Sequence, residues 1–285
     1  MSEEKNKVMP STLYLVATPI GNLDDITFRA VKVLKECDFI AAEDTRVTSK
    51  LLAAYGISKP MITYEEHSKR AAGETILRRL KEGESCALVT DAGTPAISDP
   101  GEDVARLCEE NGIKVEAIPG ACAAITALTL SGLPTSSFVF VGFLSGKDSQ
   151  KKARLDELSS ESSTLIFYEA PHRIAETLKL LADTLGGERK VALCRELTKL
   201  NEEIIRATLA EAAETVSHEN ARGEYVVVVE GRRSDTGYEF WSSLTVREHV
   251  LYYVEKMGLD KMSAIKAAAK DRHVPKGVIY KEFVE

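Results

Sequence analysis

Short apolar runs alternate with longer stretches of helical periodicity through the first half of the chain. Residues 12–18, 39–42, 61–64, 87–90 and 115–118 are the apolar runs, rich in residues that favour strands. Between them, residues 26–34, 45–55, 72–80 and 102–110 carry apolar side chains three and four positions apart, the pattern of a helix with one buried face. Asp24 or Asp25 is placed to cap the first of these helices, because a carboxylate there accepts an otherwise unpaired backbone N–H. Gly56 closes the second, and Asn111-Gly112 stops the fourth. Residues 121–130 are apolar on nearly every side, which predicts a helix that lies inside the protein. Strand–helix alternation at this spacing predicts βαβ units and a parallel five-stranded sheet. In such sheets ligands bind at the carboxyl ends of the strands.

The second half is patterned differently. Residues 138–143, 164–168, 191–194, 203–208 and 225–230 read as strands, but only residues 152–158, 173–185 and 209–217 read as helices. Strands that outnumber their crossover helices predict a mixed sheet with a hairpin, placed between residues 191 and 208. The expected fold class is α/β, with an N-terminal domain over 1–136 and a second α/β domain over 137–231. The glycine-bearing stretch 142–146 is a plausible break between the halves. A polar linker after Gly231 leads to a helical, basic, helix-turn-helix-like module over 239–285.

Composition narrows the function classes. The 285 residues are 44% hydrophobic and 28% charged, ordinary for a globular protein. The polar N-terminus does not read as a signal peptide, and no apolar run approaches the roughly 20 residues that span a bilayer. Five scattered cysteines, with no C-x-x-C pair, argue against a disulfide framework or structural zinc and for a cytoplasmic location. Taken alone, a net charge of −7 argues against a chain that coats nucleic acid with its whole surface. The distribution is uneven, however, since residues 256–281 hold seven basic against two acidic side chains. Neither G-x-G-x-x-G nor a Walker motif occurs, which counts against nicotinamide and nucleoside-triphosphate chemistry.

Candidate chemistry concentrates at the strand ends. Asp91-Ala-Gly-Thr-Pro-Ala-Ile-Ser-Asp-Pro-Gly101 follows the fourth strand and is longer than a βα connection needs. Its first four residues read as a ligand cradle, and Asp99 reads as the cap of the next helix. The loop from Thr18 to Asp25 and the turn Pro119-Gly-Ala-Cys-Ala123 place more glycine and proline on the same edge. Polar clusters occur at Glu43-Asp-Thr-Arg46, Glu65-Glu-His67, Tyr168-Glu-Ala-Pro-His-Arg173 and Arg195-Glu-Leu-Thr-Lys199. Taken singly, each acid–base pair reads as a structural ion pair. His67 and His172 have no metal-ligand spacing, so no metal is expected. Cys122 reads as a small packing residue rather than a nucleophile.

Ala17-Thr-Pro-Ile-Gly-Asn-Leu-Asp-Asp25, Ala42-Glu-Asp-Thr-Arg46, the 91–101 loop, Ile118-Pro-Gly120 and Tyr168-Glu-Ala-Pro-His-Arg173 together resemble the bacterial 16S ribosomal RNA cytidine 2′-O-methyltransferases of the tetrapyrrole methylase superfamily. The likeness runs from about residue 12 to residue 231. It implies S-adenosylmethionine as methyl donor, bound in a cleft between the two α/β domains. Asp91, Ala92, Gly93, Thr94 and Ile97 would wrap the donor, with Pro19, Gly120, Ala121, Cys122, Tyr168 and Ala170 completing the pocket. One departure is that this chain has Cys122 where the family commonly has serine.

The implied reaction is methylation of a cytidine ribose in the decoding region of 16S ribosomal RNA, on free RNA or on the 30S subunit, by a cytoplasmic homodimer without membrane contact. Attack by a ribose hydroxyl needs a base. The candidates are Asp44, Glu169 and, less directly, His67, with Arg46 and Arg195 neutralising phosphate or orienting the carboxylates. The tail, with helical segments at 262–270 and 275–280, would present lysines to RNA. The alternatives are a corrin-type methyltransferase of the same superfamily and a non-catalytic RNA-binding or ribosome-assembly protein.

Overall fold

The computed structural model describes residues 7–217, 221–232, 241, 243–272 and 274–284. Strands β1 (Thr12–Val16), β2 (Phe39–Ala42), β3 (Met61–Thr63), β4 (Cys86–Val89) and β5 (Lys114–Ile118) form one sheet in the order β3-β2-β4-β1-β5. Every pairing in it is parallel. Helices α1 (Phe28–Glu36) and α2 (Thr45–Ala54) share a core with Tyr14, Val16, Ile40, Ala42, Ala87 and Val89. Helices α3 (Lys69–Lys81) and α4 (Glu102–Glu110) cover the other face, on Leu13, Phe39, Ala41, Cys86 and Leu88. Period-2 alternation therefore sends successive residues of β2 and β4 into two different cores, which is why these strands read as unbroken apolar runs.

The start of α1 corrects the sequence reading. Thr27 is the cap, its Oγ1 accepting the Ala30 N–H at 3.1 Å. Asp24 and Asp25 instead sit in a 3₁₀ turn, Leu23–Asp25, opened by the Asn22 side chain accepting the Asp24 N–H. The extra turn uses up two residues and delays the helix to Phe28.

Helix α5 (Ala123–Ser131) follows β5, yet it packs on the second sheet, where Ala124, Ala127 and Leu128 meet Ile166, Ala192, Cys194, Val226 and Val228. That sheet contains β6 (Phe138–Phe143), β7 (Thr164–Glu169), β8 (Lys190–Arg195), β9 (Glu203–Thr208) and β10 (Tyr225–Val229) in the order β6-β7-β10-β8-β9. Only β6 and β7 run parallel, and β8–β9 is the expected hairpin. Helices α6 (Asp148–Leu158), α7 (Ile174–Leu185) and α8 (Leu209–Thr215) pack on its opposite face. The stretch 142–146 is not a break between halves. Gly142 lies inside β6, at a bulge and with φ +71°.

A separate compact unit begins at Arg233. The linker expected after Gly231 falls largely at 233–240, outside the described residues. Helices α9 (Val246–Glu255), α10 (Lys261–Asp271) and α11 (Lys276–Val284) enclose Val250, Ala264, Ile265, Ala268 and Ile279. Of the basic residues counted in this tail, Arg272 is tied inward rather than left to solvent. Its Nε donates to His249 Nδ1 at 3.1 Å, and its Nη2 donates to the Trp241 and Leu244 carbonyls. Over residues 233–285 the chain carries nine basic and eight acidic side chains, so the excess at 256–281 is offset by its flanks. Among the described residues, no helix is long and apolar enough to cross a membrane.

Candidate functional site

Three loops leave the carboxyl edge of the first sheet and are tied into one rim. The Thr18 N–H donates to the Gly93 carbonyl at 2.8 Å, the Gly93 N–H donates back at 3.1 Å, and Thr18 Oγ1 donates to the Thr90 carbonyl. Thr94 Oγ1 donates to the Ala121 carbonyl at 3.0 Å, joining the β4 loop to the β5 loop. The glycines serve this closure. Gly93 has φ +84°, and a Cβ on Gly120 would lie 2.9 Å from that of Ala17.

The β4 loop bends sharply beyond Thr94. Ala96 (φ +68°) and Ser98 (φ +63°) occupy the left-handed region, an arrangement that persists only where surrounding structure imposes it. The bend packs closely on both sides, since a Cβ on Gly142 of β6 would lie 3.1 Å from the Ser98 Oγ and one on Gly101 would lie 3.1 Å from the Ala96 N. Asp99 does not cap α4, whose N-cap is Gly101 with no side-chain bond. The bend directs Asp99 to the cleft instead.

The opposite wall comes from the second sheet. Glu196 (φ +52°) and Thr198 (φ +64°) form a second strained turn after β8. It is held by Lys199 Nζ, which donates to Glu196 and Glu224 at 2.9 Å each. A Cβ on Gly21 would fall 2.5 Å from Lys199 Cγ, so the β1 loop and this turn meet without room for a side chain.

Between the walls is a cleft of about 460 Å³, within the range of small-ligand sites. Of the expected contacts, Ala92, Gly93, Thr94, Ile97, Cys122, Tyr168 and Ala170 line it. Pro19, Asp91, Gly120 and Ala121 belong to the loops that build the rim but are not among the lining residues. Ile20, Phe143, Leu197 and Val226 line it without having been read from sequence. Ile20 could have been found, being the apolar neighbour of Pro19 and Gly21. The other three lie on different strands and turns, and no local signal brings them together.

Tyr168 bridges the walls. Its hydroxyl accepts the Ala124 N–H at the start of α5 at 3.1 Å, and its ring meets Phe140 and Phe143 edge-on. Burial, with Cys122 adding to it, pushes its hydroxyl up to about 12. Cys122 is the N-cap of α5 and makes no side-chain capping bond.

Acidic groups gather at the edge of the first sheet. The Asp44 N–H donates to Asp91 Oδ1 at 3.1 Å, and the Asp91 N–H donates to Glu43 Oε2 at 3.4 Å. Burial raises Glu43 and Asp91, each aided by neighbouring negative charge. Asp99 is raised to about 7 by burial first, then by Glu43 and Asp91.

The expected catalytic residues are not gathered in the cleft. Asp44 caps α2, and Arg46 holds it through Nε at 3.0 Å and Nη2 at 2.6 Å, which lowers its carboxyl to about 2. Arg46 itself is 87% exposed. Glu169 does line the cleft, but its oxygens accept from the Ala170 N–H, Arg173 Nε and Thr177 Oγ1 at 2.9, 2.9 and 2.6 Å. Arg195 pairs with Glu203 at 2.9 Å. His67 is exposed beyond β3 and is not among the lining residues.

Comparison with known proteins places this arrangement. The profile of the Tetrapyrrole (Corrin/Porphyrin) Methylases matches residues 12–213. The chain is 49% identical to a ribosomal RNA small subunit methyltransferase I of Halalkalibacterium halodurans, over 94% of this chain and 93% of that protein. It is 47% identical to the Bacillus subtilis protein of the same name, over 95% and 93%. In structure it resembles a Thermus thermophilus uroporphyrin-III C-methyltransferase complexed with S-adenosylhomocysteine, with a TM-score of 0.56 and 19% identity, over 77% of this chain and 97% of that one. The chain therefore belongs to the tetrapyrrole methylase family and, within it, to the ribosomal RNA small subunit methyltransferase I proteins.

Proposed function

We propose that this protein transfers the methyl group of S-adenosylmethionine to the 2′-hydroxyl of a cytidine ribose in 16S ribosomal RNA. The observation that carries the reading is the cleft itself, closed by three hydrogen-bonded loops on one wall and Tyr168 to Ala170 on the other. Its chemistry suits this donor. Ile20, Leu197 and Val226 offer apolar surface to a nucleoside, and Gly93 and Gly120 leave the rim without bulky side chains. Ala92, Thr94, Ile97, Cys122 and Ala170 would hold the donor, which supplies an activated methyl group when bound. The residues present then have to position the ribose in line with that carbon, and positioning supplies much of the rate. Arg46, fixed by Asp44 at the edge of the cleft's wall, is suited to a phosphate of the approaching strand.

A ribosomal RNA substrate is favoured over a macrocycle by the reach of the likeness. The two relatives named for ribosomal RNA match 94–95% of the chain, whereas the porphyrin enzyme matches 77%. A cytoplasmic homodimer is part of the same reading. Phe28 and Leu200, each 99% exposed, are apolar side chains that a partner copy would cover. The test is incubation with methyl-labelled S-adenosylmethionine and, in parallel, 30S subunits, free 16S RNA and a corrin-type macrocycle. Nuclease digestion and mass spectrometry should find 2′-O-methylcytidine from one of the RNA samples. Label in the macrocycle alone, or in none, would refute the proposal.

A further inference from the structure

We propose that Asp99 is the general base of this transfer, accepting the proton of the attacking ribose hydroxyl. The inference rests on the methyltransferase reading above and deepens it. Three observations single out this residue. Asp99 lines the cleft, on the stretch that the left-handed residues Ala96 and Ser98 turn toward β6. Its carboxylate is available, because among the described residues no hydrogen bond or ion pair engages it. Asp44 and Glu169, by contrast, have their oxygens taken by Arg46 and by Ala170, Arg173 and Thr177. Finally, Asp99 has no structural duty at the helix it precedes, since α4 starts on Gly101 without a side-chain cap.

The surroundings suit a base that works near neutrality. Glu43 and Asp91 act on Asp99 from the first sheet, and Tyr168 interacts with it from β7. Cys122, Glu169, His172 and Glu224 line the same cleft. Among the described residues no lysine or arginine lines the cleft, so burial and like charge hold the carboxyl at about 7. A base is most effective when its pKa lies near the working pH. The acidic groups do not converge as ligands of one metal ion among the described residues.

In the step proposed, the 2′-O–H proton moves to an Asp99 carboxylate oxygen as the 2′-oxygen lone pair forms the new O–CH3 bond. The pair of the breaking S–C bond stays on sulfur, and the sulfonium charge is lost. Asp99 then releases its proton to solvent.

The experiment compares wild type, Asp99→Asn and Asp99→Glu in methylation of the RNA sample that wild type modifies, from pH 5.5 to 9. Calorimetric titration with S-adenosylhomocysteine and thermal unfolding accompany it. The expected result is a kcat for Asp99→Asn reduced by about 10²- to 10⁴-fold, with partial recovery in Asp99→Glu. The wild-type acid limb of kcat/KM, near pH 7, should be absent in the Asn variant. S-adenosylhomocysteine affinity should stay within about threefold, and the melting temperature at pH 8 should equal or exceed that of wild type, because a buried charge has been removed. A kcat within tenfold of wild type overturns the proposal. So does a retained kcat at saturation with affinity weakened more than tenfold, which would make Asp99 a donor anchor. A lowered melting temperature at pH 8 with parallel loss of affinity would make it a structural residue. A wild-type protein that methylates no RNA refutes the functional reading itself, and the base falls with it.

Discussion

Replacing Glu169 separates its two conceivable jobs, since the structure makes it an anchor for α7. Glu169 is 3% exposed and holds the Ala170 N–H, the Arg173 guanidinium and the Thr177 hydroxyl in the first turns beyond β7. Removing one partner of a buried ion pair typically costs about 3–5 kcal/mol. The Arg173 side chain is 36% exposed and can be rehydrated, so the Coulombic part has to be discounted. The two neutral donors, at about 1–3 kcal/mol each when left unpaired, then set the scale. The expectation is about 2–6 kcal/mol for Glu169→Ala, or a fall in Tm of roughly 5–20 °C at this chain size. Glu169→Gln keeps acceptors for Ala170 and Arg173 and turns its amide toward Thr177, which can accept, so it should cost about 1–2 kcal/mol. Thermal unfolding by circular dichroism gives the stability, and methylation per folded molecule, measured well below both transitions, gives the activity. The expected Gln variant is less stable and within about tenfold of wild-type rate. A Gln variant with unchanged Tm and a rate lowered more than a hundredfold would refute this reasoning and return Glu169 to the role of base.

Three further outcomes follow from single features. Cys122→Ser should stabilise the protein by about 1 kcal/mol in thermal unfolding, because residue 122 already has extended N-cap geometry and lacks only a good acceptor; no gain would mean that Tyr168 alone satisfies the helix start. Gly120→Ala should cost about 1–3 kcal/mol and weaken S-adenosylhomocysteine binding in calorimetry, since the new Cβ would lie 2.9 Å from Ala17 and push the β5 loop outward. His249 is fully buried, accepts from Arg272 at Nδ1 and faces Asp271 at Nε2, and burial lowers its pKa despite the pull of Asp271. The unfolded chain therefore takes up this proton first, and stability present above about pH 6.5 is lost as pH falls through the folded value. Opening free energies from amide exchange in α9 and α10 should drop between pH 7 and pH 5, and a flat profile would contradict the assignment.

Much of the first sheet is legible in local pattern. The period of β2 and α4 and the stop at Asn111-Gly112 are set by side-chain chemistry within a few residues, so those elements appear where the pattern predicts them. The glycine and proline loops are equally visible, because only such residues relieve the steric cost of those turns. Resemblance in the same loops pointed to the family. The tertiary structure decided what each loop residue does. Thr27 rather than Asp24 or Asp25 starts α1, because several adjacent residues can cap and a 3₁₀ turn chooses among them. Helix α5 follows the first sheet in sequence but packs on the second, and its apolar composition does not say which sheet it covers.

The acidic residues show the same limit most clearly. Asp44, Asp91 and Glu169 stand at strand ends and Asp99 at the end of the loop before α4, and all four are carboxylates. Their difference lies in which donors reach them. Arg46 occupies Asp44, and three donors fill Glu169, while no donor among the described residues reaches Asp99, which sits among like charges. Those partners are brought from distant positions by packing, and the free energy of a carboxylate depends on them more than on its neighbours in the chain. The sequence by itself determined the alternating sheets and the loop edge where a ligand would bind. Only the folded chain decided which carboxylate on that edge is left without a hydrogen-bond donor among the described residues.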